Sequence, residues 1–211
     1  MATLDVALRT TADRGLTANA QNLLTLDGSG ALVVIDFFAK AIMDGHGYQV
    51  RAGTITTPLT GDVLITDTAA EMSADATAGL VLIPVFLQAD IEALGGTLPQ
   101  IAAKSVGSVS SAGTAFVPLP LRIGGAAAGT TGRVSAAGGV TVTAEAATTT
   151  RQHFTQTIAV AADVQAIWEP ARPPILAGAS CFYVQIGSVT TGSTYFAHMD
   201  YLEFTSSQLG L

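Results

Sequence analysis

Two stretches near the C-terminus decide the fold class: Ser180–Ser188 (SCFYVQIGS) and Ser193–Thr205 (STYFAHMDYLEFT). In both stretches, large apolar side chains recur at every second position, which is the period-two pattern of β-strands. One face of each stretch collects large apolar residues, namely Phe182, Val184 and Ile186 in the first and Tyr195, Ala197, Met199 and Tyr201 in the second. Because the VTTG segment between them is typical of a turn, the pattern predicts a β-hairpin.

Similar strand signals recur along the chain, whereas helical patterns are sparse. Strands are predicted in six further segments: Tyr48–Thr57, Val63–Thr66, Gly79–Gln88, Thr114–Ile123, Val140–Ala144 and Phe154–Val160. Turn residues interrupt the chain about every 8–15 residues, a spacing typical of all-β sandwiches. We therefore expect an all-β fold, an antiparallel sandwich of about eight strands.

Prolines refine the positions of two of these strands. Pro84 interrupts an otherwise apolar run, which predicts a sheet edge or a β-bulge. Pro118 and Pro120 remove two backbone donors from Thr114–Ile123, so that strand is expected to lie at an edge or to run beside the sheet. Asp90–Leu94, followed by Gly95-Gly96, is expected to form one helical turn.

The chain divides into an N-terminal arm, residues 1–30, and one sandwich domain, residues 31–211. The arm is mixed in character and ends in the turn signal Asp27-Gly28-Ser29-Gly30. Ala31–Met43 fits a strand or a helix, and its β-branched residues favour a strand for Ala31–Phe38. Gly124–Gly139 (GGAAAGTTGRVSAAGG) is expected to be a flexible loop.

Charged residues are scarce in this chain. They make up 12% of it, against roughly 25% in an average soluble protein, while 49% is hydrophobic and the mean hydropathy is +0.47. No apolar run approaches the ~18 residues of a membrane-spanning helix. We interpret the missing charge as a neutral exterior that packs against other copies, with an Ala/Gly/Thr compositional bias as the alternative explanation.

The net charge of −7 argues against direct nucleic-acid binding. Such binding needs clustered Lys and Arg, whereas this chain has two lysines, Lys40 and Lys104, and seven scattered arginines. Lysine is also depleted at protein interfaces. The single cysteine, Cys181, excludes an intramolecular disulfide. The start MATLDVALRTTADRG lacks the pattern of a signal peptide, so we expect synthesis in a reducing compartment.

Motifs for chemistry are weak. His46, His153 and His198 lack a second ligand at metal spacing, although His198 and Asp200 share a strand face. Cys181 is interpreted as a small core residue. GGAAAGTTGR lacks the Lys-Ser/Thr ending of a phosphate-binding loop.

Two acidic patterns are candidates for a cation site or a glycosidase site. Asp62, Asp67, Glu71 and Asp75 do not match a calcium loop, and a solvated loop is the simpler interpretation. Two aromatic–acid neighbours, Trp168-Glu169 and Tyr201-Glu203, do not make a glycosidase site by themselves. We therefore predict a non-enzyme with no catalytic, cofactor-binding or metal-ligating residues.

In overall character the chain resembles viral and phage structural proteins, especially capsid subunits with a single jelly roll. The features that carry the resemblance are the arm, the long loop Gly124–Gly139 and the C-terminal pair of strands. The resemblance implies a jelly-roll-like sandwich and a shell-building role. It also implies trimers or higher capsomers, contacts with other virion proteins, and residence in the virion after synthesis in the host cytoplasm.

The alternative is a carbohydrate- or receptor-binding sandwich of the fibre or spike type. Such a module needs exposed aromatic side chains or a cation site. Trp168, Tyr183 and Tyr195 are the aromatic candidates for that role.

Overall fold

The structure, a computed structural model, describes residues 37–62, 69–93, 95, 99–135, 139–143, 145–158, 164–188 and 192–211. Eight of its strands have five or more residues: β1 (Gly47–Ala52), β4 (Met72–Ala76), β5 (Leu80–Ala93), β6 (Gln100–Val106), β12 (Arg151–Thr157), β13 (Val164–Trp168), β15 (Ser180–Gly187) and β16 (Thr194–Thr205). The expected antiparallel all-β sandwich of about eight strands is confirmed.

Shorter elements complete the fold. The short strands are β2 (Leu59–Thr60), β3 (Ala69–Ala70), β7 (Ser111–Ala112), β8 (Thr114–Phe116), β9 (Leu119–Pro120), β10 (Thr131–Val134), β11 (Val140–Thr141) and β14 (Leu176–Ala177). Two short helices, α1 (Phe37–Met43) and α2 (Ser206–Leu209), lie at the two ends of the described chain. The predicted strand Val63–Thr66 and the arm, residues 1–30, lie outside the described residues.

The strands form two large sheets. The first sheet has the order β13-β5-β16-β1-β9, with β14 and β2 paired at its side, and the second has the order β12-β6-β15-β4-β10-β8. Among the eight long strands the antiparallel pairs are nested in chain order: first with last (β1 and β16), second with seventh (β4 and β15), third with sixth (β5 and β13), and fourth with fifth (β6 and β12). From either end of the chain inward, successive long strands therefore lie in alternate sheets.

The predicted hairpin at the C-terminus is wrong. Ser180–Gly187 and Thr194–Thr205 are strands as expected, but they belong to different sheets and pair with β4 and β6, and with β1 and β5, respectively. Their apolar faces meet across the sandwich, where Phe182 and Val184 share one buried core with Tyr195 and Met199. Burying both faces against each other removes more apolar surface from water than a two-stranded hairpin would.

Each sheet is also covered on its outer face. Helices α1 and α2 pack on the first sheet through Ala41, Phe38, Ile42 and Leu209, which contact Leu202 and its neighbours. A small three-stranded sheet, β3-β11-β7, covers the second. Its Val140 packs in a buried cluster with Val106, Cys181 and Tyr183. Cys181 is thus a core residue, as predicted.

Proline positions agree with the sequence analysis. Strand pairing shifts by one residue between Asp200 and Tyr201, which faces Pro84, so a β-bulge lies there. On the other side of β5, β14 pairs with residues 81–82 and β13 with residues 87–91, so Pro84 lies in the gap between them. Thr114–Ile123 is divided into β8 and β9, which end the strand order of the second and first sheets.

Three local predictions are corrected. Phe37 and Phe38 are helical rather than part of a strand, because α1 covers the outer face of the first sheet. Asp90–Ala93 continues β5 instead of forming a helical turn, because it pairs with β16. The predicted loop Gly124–Gly139 contains β10, which pairs with both β4 and β8.

Gly61 lies where backbones approach too closely for a side chain. A Cβ at this position would lie 2.7 Å from the carbonyl oxygen of Ile186. Because backbone atoms cannot rotate away, Gly61→Ala is expected to lower the free energy of unfolding by about 1–3 kcal/mol. Gly107→Ala is the control, since a Cβ there meets no atom within 4 Å. Equal denaturant midpoints for the two variants would contradict this packing.

Candidate functional site

The described surface exposes ten large hydrophobic side chains. They are Phe37, Met43, Ile55, Val109, Val117, Leu119, Ile123, Ile167, Ile175 and Leu211. Single exposed apolar residues are ordinary in proteins, whereas contiguous ones mark interaction sites. The arrangement of these residues is therefore more informative than their number.

One apolar groove lies beside the two helices, and we call it the helix groove. Its volume is about 620 Å³, and its lining includes Phe37, Phe38, Ile83, Ile175, Leu209 and Leu211. Three of these side chains are strongly exposed: Phe37 at 59%, Ile175 at 63% and Leu211 at 67%. The groove adjoins the point where residues 1–36 join the described chain. A contiguous apolar surface of this kind fits a protein partner.

Further exposed apolar residues lie at opposite ends of the first sheet's strand order. Leu119 is in β9 at one end and Ile167 is in β13 at the other. Strands at a sheet edge can pair with another chain. The molecule thus presents apolar side chains at two different edges as well as in the helix groove.

A buried carboxyl group connects three segments of the sandwich. Glu71 is 2% exposed, and its carboxyl accepts hydrogen bonds from the Tyr195 hydroxyl (2.8 Å) and the Asp62 backbone N–H (3.0 Å). Burial raises the pKa of Glu71 to about 7, and the nearby Asp62 charge adds to this, while the bond from Tyr195 opposes it. Burial also raises the pKa of Asp62. The carboxyl therefore titrates near neutral pH.

Asp75 forms a second buried polar cluster on the outer face of β4. Its carboxylate accepts hydrogen bonds from the Ser110 backbone N–H (3.0 Å), the Ser110 hydroxyl (2.7 Å) and the Arg133 Nε (3.2 Å). The Ser110 hydroxyl also lies 2.7 Å from that of Ser73. All these contacts join β4 to β10 and to the segment before β7, so the role of Asp75 is structural.

Of the four acidic residues considered as a cation site, the structure describes three, and these do not gather at one point. Asp62 and Glu71 are in contact, Asp75 has its own partners, and Asp67 lies outside the described residues. Within the described ranges, no three His, Cys, Asp or Glu side chains gather in a way that could hold a metal ion.

Histidines 46 and 198 have local structural partners. The His46 Nδ1 lies 3.0 Å from the Glu203 carbonyl oxygen, and its ring lies 4.6 Å from that of Phe204. The His198 ring lies 5.5 Å from that of Phe86. Its neighbour Asp200 accepts a 2.8 Å hydrogen bond from Gln49, and burial raises the pKa of Asp200.

The Tyr201–Glu203 pair and the glycine-rich loop have structural roles. The Tyr201 hydroxyl is hydrogen-bonded to that of Thr130 at 2.6 Å. The Glu203 carboxylate accepts from the backbone N–H groups of Gly129 (2.9 Å) and Thr130 (2.8 Å). The glycine-rich loop thus binds a carboxylate of its own chain through backbone donors.

Two of the three aromatic candidates for sugar stacking are inaccessible. Tyr183 and Tyr195 are fully buried, the first beneath the small sheet and the second in the sandwich core. The strand pattern predicts which side chains share a face but not whether another layer covers that face. Trp168 is partly buried, and its ring stacks on Phe182 at 5.4 Å.

One polar cluster was missed by the sequence analysis. The Ser105 hydroxyl lies 2.8 Å from the Nε2 of His153, although 48 positions separate them in the chain. Strands β6 and β12 bring them together, and His153 is the extra residue of a β-bulge between Gln152 and Phe154. Bulges redirect side chains, and no sequence signal marks this one.

No protein family, characterised protein or solved structure was found to match the chain. Of the helices in the described ranges, neither α1 nor α2 has the length and apolar character to cross a bilayer.

Proposed function

We propose that this protein is a structural subunit of a viral or phage particle, a capsid shell protein with a jelly-roll fold. The observation that carries the proposal is the nested pairing of the eight long strands. A jelly roll is an eight-stranded double sheet of two Greek keys, and capsid subunits use it widely. Rolling up a long antiparallel ribbon places first beside last, second beside seventh, third beside sixth and fourth beside fifth.

The exterior supports assembly from copies of the chain. A closed shell needs several different contact surfaces on each subunit, because heterologous contacts join unlike patches. Leu119, Ile167 and the helix groove supply apolar surface on separate parts of the molecule. With 12% charged residues, few charges need to be desolvated when these surfaces are covered.

Jelly rolls also occur in lectins and cupins, but the described residues favour the shell. Tyr183 and Tyr195 are buried and cannot stack on a sugar. The described chain also gathers no metal-ligand cluster of the kind that a metal-dependent enzyme uses. The large hydrophobic side chains exposed in the described ranges are mainly aliphatic, which suits contacts between proteins.

The arm, residues 1–30, is proposed to link subunits into trimers or higher capsomers and to contact other virion proteins. It contains six leucines, and residues 15–26 (GLTANAQNLLTL) carry no charge. The chain enters the described structure at Phe37, on the rim of the helix groove. The arm of each copy is therefore tethered beside apolar surface that another chain can cover.

Size-exclusion chromatography with light scattering tests this proposal. The full-length chain is expected to elute as capsomers or particles, far above its own 21.4 kDa. Deleting residues 1–26 is expected to reduce the assembled mass while circular dichroism still reports the β-sandwich. A full-length monomer would contradict the shell role, and unchanged assembly after the deletion would contradict the role of the arm.

A further inference from the structure

Arg151, His153 and Ser105 form a polar cluster at one end of the sandwich. Arg151 is the direct antiparallel partner of Ser105, so their side chains lie on the same face of the sheet. His153 reaches the Ser105 hydroxyl through the bulge in β12, and its ring stacks on Phe182 at 5.6 Å. Aromatic packing therefore holds the imidazole in place behind the hydroxyl.

A cavity of about 510 Å³ opens in front of this cluster. Its walls include Ser105, Gly107, Arg151, Ile175, Leu176 and Ser180, from the ends of β6, β12 and β15 and from β14. This volume lies within the range of small-molecule sites, which combine apolar walls with a few polar groups. Ser105 and Ser180 are buried, while Arg151 is exposed at the mouth.

The charge of Arg151 is not neutralised by an acidic side chain of the described structure. The three ion pairs found there are Lys40–Asp44, Lys104–Glu145 and Arg133–Asp75. Burial lowers the pKa of His153, and the Arg151 charge lowers it further. The cavity mouth is thus cationic in a chain whose net charge is −7.

We propose that this cavity binds the oxyanion group, carboxylate or phosphate, of a small molecule. Arg151 pairs with the anion, since a guanidinium matches both groups with two parallel N–H donors. His153 is assigned the tautomer in which Nε2–H donates to the Ser105 oxygen 2.8 Å away, since this leaves the Ser105 hydroxyl hydrogen to point at the anion. This site does not depend on the proposed shell function, so either can fail without the other.

Fluorescence provides a local probe, because Trp168 is the single tryptophan of the chain and its ring lies 6.3 Å from that of His153. The full-length protein is titrated with inorganic phosphate, and separately with acetate, at constant ionic strength. A saturable change in Trp168 emission is expected with at least one anion, and the tighter of the two identifies the preferred group.

Variants separate a site from general ionic effects. Arg151→Gln is expected to weaken binding at least about tenfold, because it removes a charge-assisted hydrogen-bond donor. Ser105→Ala is also expected to weaken it. Arg51→Gln, which removes an exposed arginine of β1 in the other large sheet, should bind like the unmodified protein. Circular dichroism checks that each variant folds. If Arg151→Gln does not fold, Arg151→Lys, which keeps the charge, is measured in its place.

Two results would overturn the proposal. If Trp168 emission changes linearly without saturating, and does so equally in the unmodified protein and in Arg151→Gln, the effect comes from an adventitious ion only. Saturable binding that both Arg151 variants leave unchanged means that the anion binds elsewhere.

Discussion

Replacing Asp75 with alanine is expected to lower the free energy of unfolding by about 3 kcal/mol, because it removes the acceptor of three hydrogen bonds, two of them from the buried Ser110 and one from the half-buried Arg133. The Asp75 side chain is 4% exposed. Its loss removes the acceptor of the Ser110 backbone N–H and of the Arg133 Nε, and one of the two partners of the Ser110 hydroxyl. Chemical denaturation of the purified variant measures the effect.

Asp44→Ala is the matched control for this experiment. Asp44 also forms an ion pair, with Lys40 one helical turn away, but its side chain is 47% exposed. Exposed pairs of this kind contribute about 0.3–0.5 kcal/mol. If Asp75→Ala does not fold, Asp75→Asn is measured instead and is expected to be intermediate. If Asp75→Ala lowers the free energy of unfolding no more than Asp44→Ala does, the buried network around Asp75 is contradicted.

The second large effect is a dependence of stability on pH through Glu71. Its pKa is raised from 4.5 to about 7 by burial, so the folded protein holds this proton more tightly than the unfolded chain does. Below pH 4.5 both states are protonated and the group has no net effect. Between pH 4.5 and about pH 7 the unfolded chain ionises at this position while the folded protein stays protonated, so the free energy of unfolding falls by about 3 kcal/mol over this range and then levels off.

Glu71→Gln tests this directly, since the neutral amide cannot ionise. Its carbonyl oxygen can accept from the Asp62 N–H, and its amide can donate to the Tyr195 hydroxyl oxygen, in place of the present bonds. Unfolding is measured for both proteins at pH 4.5 and pH 8. Asp200 titrates in both proteins, so the difference reports Glu71 together with its interaction with Asp62. If both proteins lose the same stability between pH 4.5 and pH 8, the raised pKa of Glu71 is contradicted.

Local patterns predicted five of the eight long strands, β1, β5, β12, β15 and β16, and missed β4, β6 and β13. Where a strand was predicted, the pattern did not reveal its partners. The alternation in Ser180–Ser188 and Ser193–Thr205 is the same in a hairpin as in two strands that face each other across a core. The pairing is decided by distant residues, such as Ala76 beside Ser180 and Leu80 beside Thr205. Pro84 was informative because a missing backbone donor restricts its position wherever the strand lies.

Strand β10 was missed for a related reason. Thr131–Val134 (TGRV) contains a glycine, which usually weakens a strand. Here Gly132 makes room for packing, because a Cβ would lie 2.9 Å from Phe116 Cζ and 3.1 Å from Val50 Cγ2. That requirement arises only when β8, β10 and β1 are assembled. The Arg151–His153–Ser105 cluster was likewise invisible, since a bulge and a strand pairing create it.

The composition suggested the shell proposal, and the described exterior offers apolar surfaces that such a role could use. Leu119, Ile167 and the helix groove are exposed apolar surfaces that neighbouring subunits would cover in a shell. Electron microscopy of the purified full-length chain tests that claim most directly. Closed shells of one uniform diameter are predicted, and a preparation that contains only unassembled 21.4 kDa chains would contradict it.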